Sequence, residues 1–174
     1  MKRLLVGDTS ALISLALGGA LHKALEIAIV YVPGAVVEEL ENQARYSAVA
    51  TDVLALIRDG RIHNLGIADV QRAKALISEH TYIDLGEAEA VVLAEEQGIE
   101  VVITDDFEAF PELRQATQVR VHLSPYLIAA LVVAGRLSLQ EAKACFDRIA
   151  RRRHWFDARL YQRARGYLNG LLAE

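Results

Sequence analysis

Leu4-Leu5-Val6-Gly7-Asp8-Thr9-Ser10 decides the fold. The run is apolar, stops at an acid, and passes at once into a helical pattern from Ala11 to Leu17. An uninterrupted apolar run this short reads as a strand buried on both faces, as in a parallel sheet. Thr9 and Ser10 carry side chains that can cap the helix behind it. Asp8 is thereby placed at the carboxyl end of a central strand, where open α/β sheets build their sites.

The same alternation continues outward. The helical stretch 9–28 is broken at Gly18-Gly19 and reads as two helices. Residues 29–32 form a second strand, ended by Pro33-Gly34, with helices predicted over 35–44 and 46–58. Residues 61–65 read as a short third strand, 68–78 as a helix, and 86–97 as a strong helix closed by Gly98. Residues 100–104 form a fourth strand that runs directly into Asp105-Asp106, and 119–123 form a fifth. Ser124 and Ser138 read as N-caps of helices 125–134 and 138–150, and a last helix covers 157–172. Short β-rich runs alternating with helices predict an α/β fold, a central mostly parallel sheet of about five strands covered on both faces, with C-terminal helices packed beside it.

Composition narrows the function classes. With 174 residues, 53% of them hydrophobic, the chain can bury a core of one domain without disulfides or structural metal. The single cysteine, Cys145, excludes an intrachain disulfide and suits a reducing compartment. Asp8 interrupts the N-terminal apolar run too early for a signal peptide, and the longest apolar stretch, 127–134, is far below membrane-spanning length. The chain therefore reads as a soluble, cytoplasmic protein with no membrane partner. Its net charge of −4 hides an asymmetry: between Arg148 and Arg165 seven arginines face Asp157 alone, so that segment carries +6 and the rest −10. A basic segment beside an acidic body suits an anionic polymer held next to a metal site, and the same arginines would also serve as a solvated helix face.

The acids carry the chemistry. Asp8 and the Asp105-Asp106 pair each follow an apolar strand, so a parallel sheet brings them to one edge. On the helix from Gly86, residues Glu87, Ala90, Val91 and Ala94 share a face, which places Glu87 on a core-facing stripe, while Glu89 and Glu96 fall on the opposite side. In the helix after the second strand, Glu39 lies nearer the apolar face than Glu38. Four or five carboxylates at one edge cannot all stay ionised without a cation. Their hard oxygens suit Mg²⁺ or Mn²⁺, and the corresponding chemistry is metal-assisted phosphodiester hydrolysis. No glycine-rich phosphate loop is present, and the five histidines show no ligand spacing. A receiver-like domain also gathers acids, but His122-Leu123-Ser124-Pro125 lacks the lysine it needs after its fifth strand.

Four blocks, Val-Gly-Asp8-Thr-Ser-Ala-Leu, Val-Pro-Gly-Ala-Val-Val-Glu-Glu39-Leu, Leu-Gly-Glu87-Ala-Glu-Ala-Val and Val-Ile-Thr-Asp-Asp106, together resemble a PIN domain, in particular the prokaryotic PIN proteins related to VapC toxins. The resemblance covers roughly residues 1–135, with 136–174 as an Arg-rich helical extension on the same domain. It implies a three-layer α/β/α fold and a Mg²⁺- or Mn²⁺-dependent endoribonuclease of single-stranded RNA, a homodimer, often with a cognate antitoxin. Carried over, Asp8, Glu39, Glu87 and Asp106 match the four motif acids as catalytic residues. Asp8, Glu87 and Asp106 are then metal ligands, with Asp105 a neighbour that reaches the metal. Glu87 departs from the aspartate of many relatives, and Gly7 from the apolar residue usual before the first acid.

Beyond that core, Arg151, Arg152 and Arg153 are candidates for RNA contact. Trp155 reads as a packing anchor, and Phe156, Tyr167 and Leu168 give the last helix an apolar face that packs on the domain or on a second copy. The alternative to an enzyme is a PIN-like module that binds nucleic acid or protein with little or no catalysis.

Overall fold

A computed structural model describes residues 2–155 and 158–173. Phe156, named above, and the predicted start of the last helix at 157 lie outside the described residues. The strands are β1 (Arg3–Gly7), β2 (Ala28–Val32), β3 (Ile62–Asn64), β4 (Val101–Ile103) and β5 (Arg120–His122). The helices are α1 (Thr9–Leu17), α2 (Leu21–Ile27), α3 (Gly34–Ala44), α4 (Ala48–Arg58), α5 (Val70–Glu79), α6 (Leu85–Gln97), α7 (Ala109–Ala116), α8 (Pro125–Val133), α9 (Leu139–Arg152) and α10 (Ala158–Ala173). The order across the sheet is β3-β2-β1-β4-β5, and every pair is parallel.

Side chains on a strand alternate between its faces. Leu5, Val101 and Ile103 accordingly join a core with α1, α2, α4, α8 and α9 on one side, while Val6 and Val102 join α6 on the other. The result is the expected three-layer α/β/α fold. Sheet order reverses between β1 and β4, where Gly7 stands in register with Ile103. In open parallel sheets that switch point leaves a crevice beyond the strand ends. Asp8 and Asp105-Asp106 follow these two strands.

Several local expectations change. Asp8 itself, not Thr9 or Ser10, is the N-cap of α1, accepting from the Ser10 amide. Ser124 makes no capping hydrogen bond with its side chain, whereas Ser138 forms a capping box with Glu141. Helix α7 occupies a stretch for which the sequence predicts no element. Pro111 lies in its first turn, where a missing amide is tolerated, and Asp106 Oδ1 accepts from the amides of Glu108 and Ala109 at its start. Glu89 and Glu96, expected on the outer face of α6, tie other elements to it. Glu89 Oε2 accepts from the Ala35 amide at the start of α3, and Glu96 accepts from the Ala68 and Asp69 amides before α5. A carboxylate at a helix start stabilises by about 0.3–1 kcal/mol through otherwise orphaned amides and the helix dipole.

The C-terminal helices share the main core through Ala142, Phe146, Ile149, Ala164 and Leu168. Helix α9 lies close on the end of α1 because residue 18 is glycine: a Cβ there would stand 2.7 Å from Cys145 Sγ and 2.8 Å from Ile149 Cγ1. Arg148 Nη2 secures the approach by donating to the Gly18 carbonyl at 2.6 Å. Trp155 is buried, edge-on to Phe107 with ring centroids 5.1 Å apart and tilted against Phe146. No single helix among the described residues is long and apolar enough to cross a membrane.

Candidate active site

Asp8 ends β1 and caps α1, which fixes its carboxylate over the crevice. Its Oδ2 accepts from the Ser10 amide at 3.1 Å, the Ser10 hydroxyl at 2.5 Å and the Thr104 hydroxyl at 3.2 Å. Ser10 Oγ in turn accepts from the Asp105 amide at 2.8 Å, and Thr104 Oγ1 accepts from the Asp106 amide at 3.1 Å. Two hydroxyls thus lock the loop after β4 onto the start of α1. Burial raises the Asp8 pKa to about 6 against those stabilising bonds, with Asp84 and Glu39 adding like-charge repulsion.

The second wall is the first turn of α6. Asp84 is its N-cap: Oδ1 accepts from the Glu87 amide at 2.9 Å, and Glu87 Oε2 accepts from the Asp84 amide at 3.0 Å. This capping box holds Glu87 at 2% exposure, with Oε1 3.5 Å from the Thr104 hydroxyl. Burial, then the Asp8 charge, push the Glu87 pKa up to about 9. Glu87 is therefore both a core-facing acid and a helix-start acid. On this turn, facing Asp8, sits Gly86. A Cβ there would lie 3.4 Å from Asp8 Oδ1, 3.5 Å from Asp84 Oδ1 and 3.7 Å from Glu39 Oε2, so three carboxylates surround one small space.

Glu39 reaches that space from α3, steadied by Gln43 Nε2 donating to its Oε1 at 3.0 Å, while Glu38 is exposed. Asp106 faces the same pocket, with Oδ1 held by the start of α7. The pocket, about 200 Å³, brings together Asp8, Glu39, Glu87 and Asp106 of the expected set and adds Asp84 and Arg153. Asp105, also named among the expected metal ligands, does not line this pocket. Its carboxylate is buried away from the pocket and accepts from the Ser124 amide at 2.7 Å, and burial raises its pKa. Arg151 and Arg152 are exposed and do not line the pocket. The sequence reading missed Asp84. An acid directly before Leu85-Gly86-Glu87 was the available signal, since an N-cap and an acid three residues on form a capping box.

The donor set is all oxygen and carries uncompensated charge. Among the described residues no three His, Cys, Asp or Glu side chains stand in an arrangement that could hold a metal ion. At Gly86 three carboxylates face a space that a methyl group would fill, and oxygen donors of this kind are the ones hard divalent cations take.

A family model described as a PIN domain matches residues 4–169, which takes in the C-terminal helices as well as the sheet. No curated protein and no solved structure matches the chain.

Two outcomes follow from this geometry. The folded Glu87 pKa of about 9 lies above the ordinary 4.5, so the folded state holds the proton more tightly than the unfolded chain. Its stabilising contribution is full below about pH 4.5 and is lost as pH rises through about 9. In EDTA, the melting temperature of the wild type relative to Glu87→Gln should fall steadily across that window; a pH-independent difference would remove Glu87 as an uncompensated buried acid. Gly86→Ala should keep or raise the melting temperature, since alanine favours a helical turn by up to about 1 kcal/mol. It should also weaken Mn²⁺ binding measured by calorimetry, and unchanged Mn²⁺ affinity would place the cation elsewhere.

Proposed function

The chain belongs to the PIN-domain family, whose members are generally nucleases, and from that membership and the acid pocket we propose that it is a Mg²⁺- or Mn²⁺-dependent endoribonuclease of single-stranded RNA. The observation that carries the reading is the convergence of Asp8, Asp84 and Glu39 on the Gly86 cradle, with Glu87 and Asp106 beside them. Asp8, Glu39 and Asp84 would hold the ion, and Glu87 and Asp106 would complete the negative field around it. A bound divalent ion supplies a water of lowered pKa and stabilises charge on the transferring phosphoryl group.

The chain's own residues do the rest. Ser10 and Thr104 orient Asp8 through three hydrogen bonds, so the carboxylate needs little reorganisation. Glu87, protonated at neutral pH while the pocket is empty of cations, becomes a proton source when a cation enters. Asp106 keeps one oxygen committed to α7, which leaves Oδ2 for the pocket. A homodimer and a cognate antitoxin belong to the same proposal, as the resemblance to VapC-like proteins implies them, and so does the cytoplasmic location expected from composition.

The test is cleavage of a labelled single-stranded RNA with Mg²⁺, Mn²⁺ or EDTA, beside Asp8→Asn. Cutting should require metal and fall by roughly a hundredfold or more in the mutant. A folded protein that binds metal and RNA without cutting would favour the binding-module reading. Cutting that survives Asp8→Asn would take the chemistry out of this pocket.

A further inference from the structure

We propose that Arg153 contacts the phosphodiester at the acid pocket, a role that rests on the nuclease reading above and assigns one residue of the basic segment to it. The pocket presents a difficulty that this arginine answers. Asp8, Glu39, Asp84, Glu87 and Asp106 all line it, and a phosphodiester is itself an anion. Beside a bound cation, a fixed positive group on the wall would lower the remaining repulsion, and Arg153 is the basic residue among those lining the pocket.

Its backbone is held to place it there. Arg153 is the C-cap of α9, its amide donating to the Ile149 carbonyl at 2.8 Å. His154, at φ 55°, is the non-glycine residue with positive φ among those described, a conformation that costs roughly 1 kcal/mol or more. The turn closes as the Trp155 amide donates to the Ala150 carbonyl at 2.9 Å. The buried Trp155 ring then packs edge-on against Phe107, the residue directly after Asp106. One staple therefore joins the end of α9 to the loop that carries a pocket acid. At the end of α9 Arg153 lines the crevice, while Arg151 and Arg152, the two residues just before it, stay in solvent.

Its side chain is poised without being closed. Arg153 is half-buried, and its Nε is buried with no hydrogen-bond partner. Among the described residues no ion pair joins it to the five pocket acids, and its charge acts on the buried Asp105 carboxylate instead. A plug would be ion-paired to those carboxylates. The planar guanidinium of Arg153 lies on the pocket wall, and its fork suits two phosphate oxygens.

The experiment is fluorescence anisotropy of a labelled single-stranded RNA with the full chain carrying Asp8→Asn, so that RNA is not cut. Adding Arg153→Ala should weaken binding about tenfold or more, as for loss of a charge-assisted hydrogen bond. It should also reduce the slope of log affinity against log salt by about 0.7. Arg152→Ala removes the same charge from the adjacent exposed position and should weaken binding by no more than about threefold. Arg153→Lys, which keeps the charge and loses the fork, should fall between and serves if Arg153→Ala does not fold. Mn²⁺ affinity of Arg153→Ala in the otherwise natural chain should not drop, because the residue acts on the substrate. Equal effects of Arg153→Ala and Arg152→Ala would overturn the proposal. So would tighter RNA and Mn²⁺ binding by Arg153→Ala, which would make the residue a plug. A parent protein that binds no RNA would sink the nuclease reading together with this proposal, whereas RNA binding indifferent to Arg153 sinks this proposal alone.

Discussion

Like charge held out of water is the constraint around which this structure is arranged. Where sheet order reverses between β1 and β4, five acids line one pocket, and Asp8 and Glu87 among them are almost fully buried. Desolvation and mutual repulsion both favour their neutral forms, which is why the pKa of Asp8 rises to about 6 and that of Glu87 to about 9. A fold keeps such a cluster only if the surrounding structure over-determines each side chain. Here the restraints are specific: the hydroxyls of Ser10 and Thr104 on Asp8, a reciprocal capping box on Glu87, Gln43 on Glu39, and the start of α7 on Asp106.

The same devices that hold the acids also join the elements. Asp8 and Asp84 each cap a helix while facing the pocket, and Asp106 anchors a third helix start. Helix α6 extends the pattern away from the site, where Glu89 and Glu96 satisfy amides at α3 and before α5. Site and scaffold are in this sense one hydrogen-bond system. Asp8, Asp84 or Asp106 lost at the pocket is lost from a helix end as well. The C-terminal helices belong to it too, because Gly18 admits α9 onto α1 and Trp155 ties its end to Phe107.

Much of this was legible in the sequence because it depends on period and position. Apolar runs followed by acids marked Asp8 and the Asp105-Asp106 pair, and the three-and-four spacing placed Glu87 on the buried face of α6. What depends on side-chain direction was not legible. Asp105 and Asp106 are adjacent and chemically alike, yet one accepts from Ser124 in the core and the other lines the pocket. Asp84 was legible as a helix cap three residues before Glu87, but that it also faces the pocket emerges only from the space around Gly86. Glu89 looked solvent-facing because its partner, the Ala35 amide, is 54 residues away in the chain. Arg153 could not be told from Arg151 and Arg152 until the end of α9 was seen to put it alone of the three on the pocket wall. Helix α7 escaped because Pro111 and a weak start obscure its pattern, and the cap comes from an acid that seemed already assigned.

The most direct measurement of the central claim is calorimetric titration of the full protein with Mn²⁺ at pH 7, repeated in buffers of different ionisation enthalpy. If buried, protonated Glu87 is the acid that a cation must discharge, Mn²⁺ will bind and release about one proton per ion. Absence of binding, or binding with no proton release, would contradict the claim that this pocket is an uncompensated acid cluster built to receive a metal.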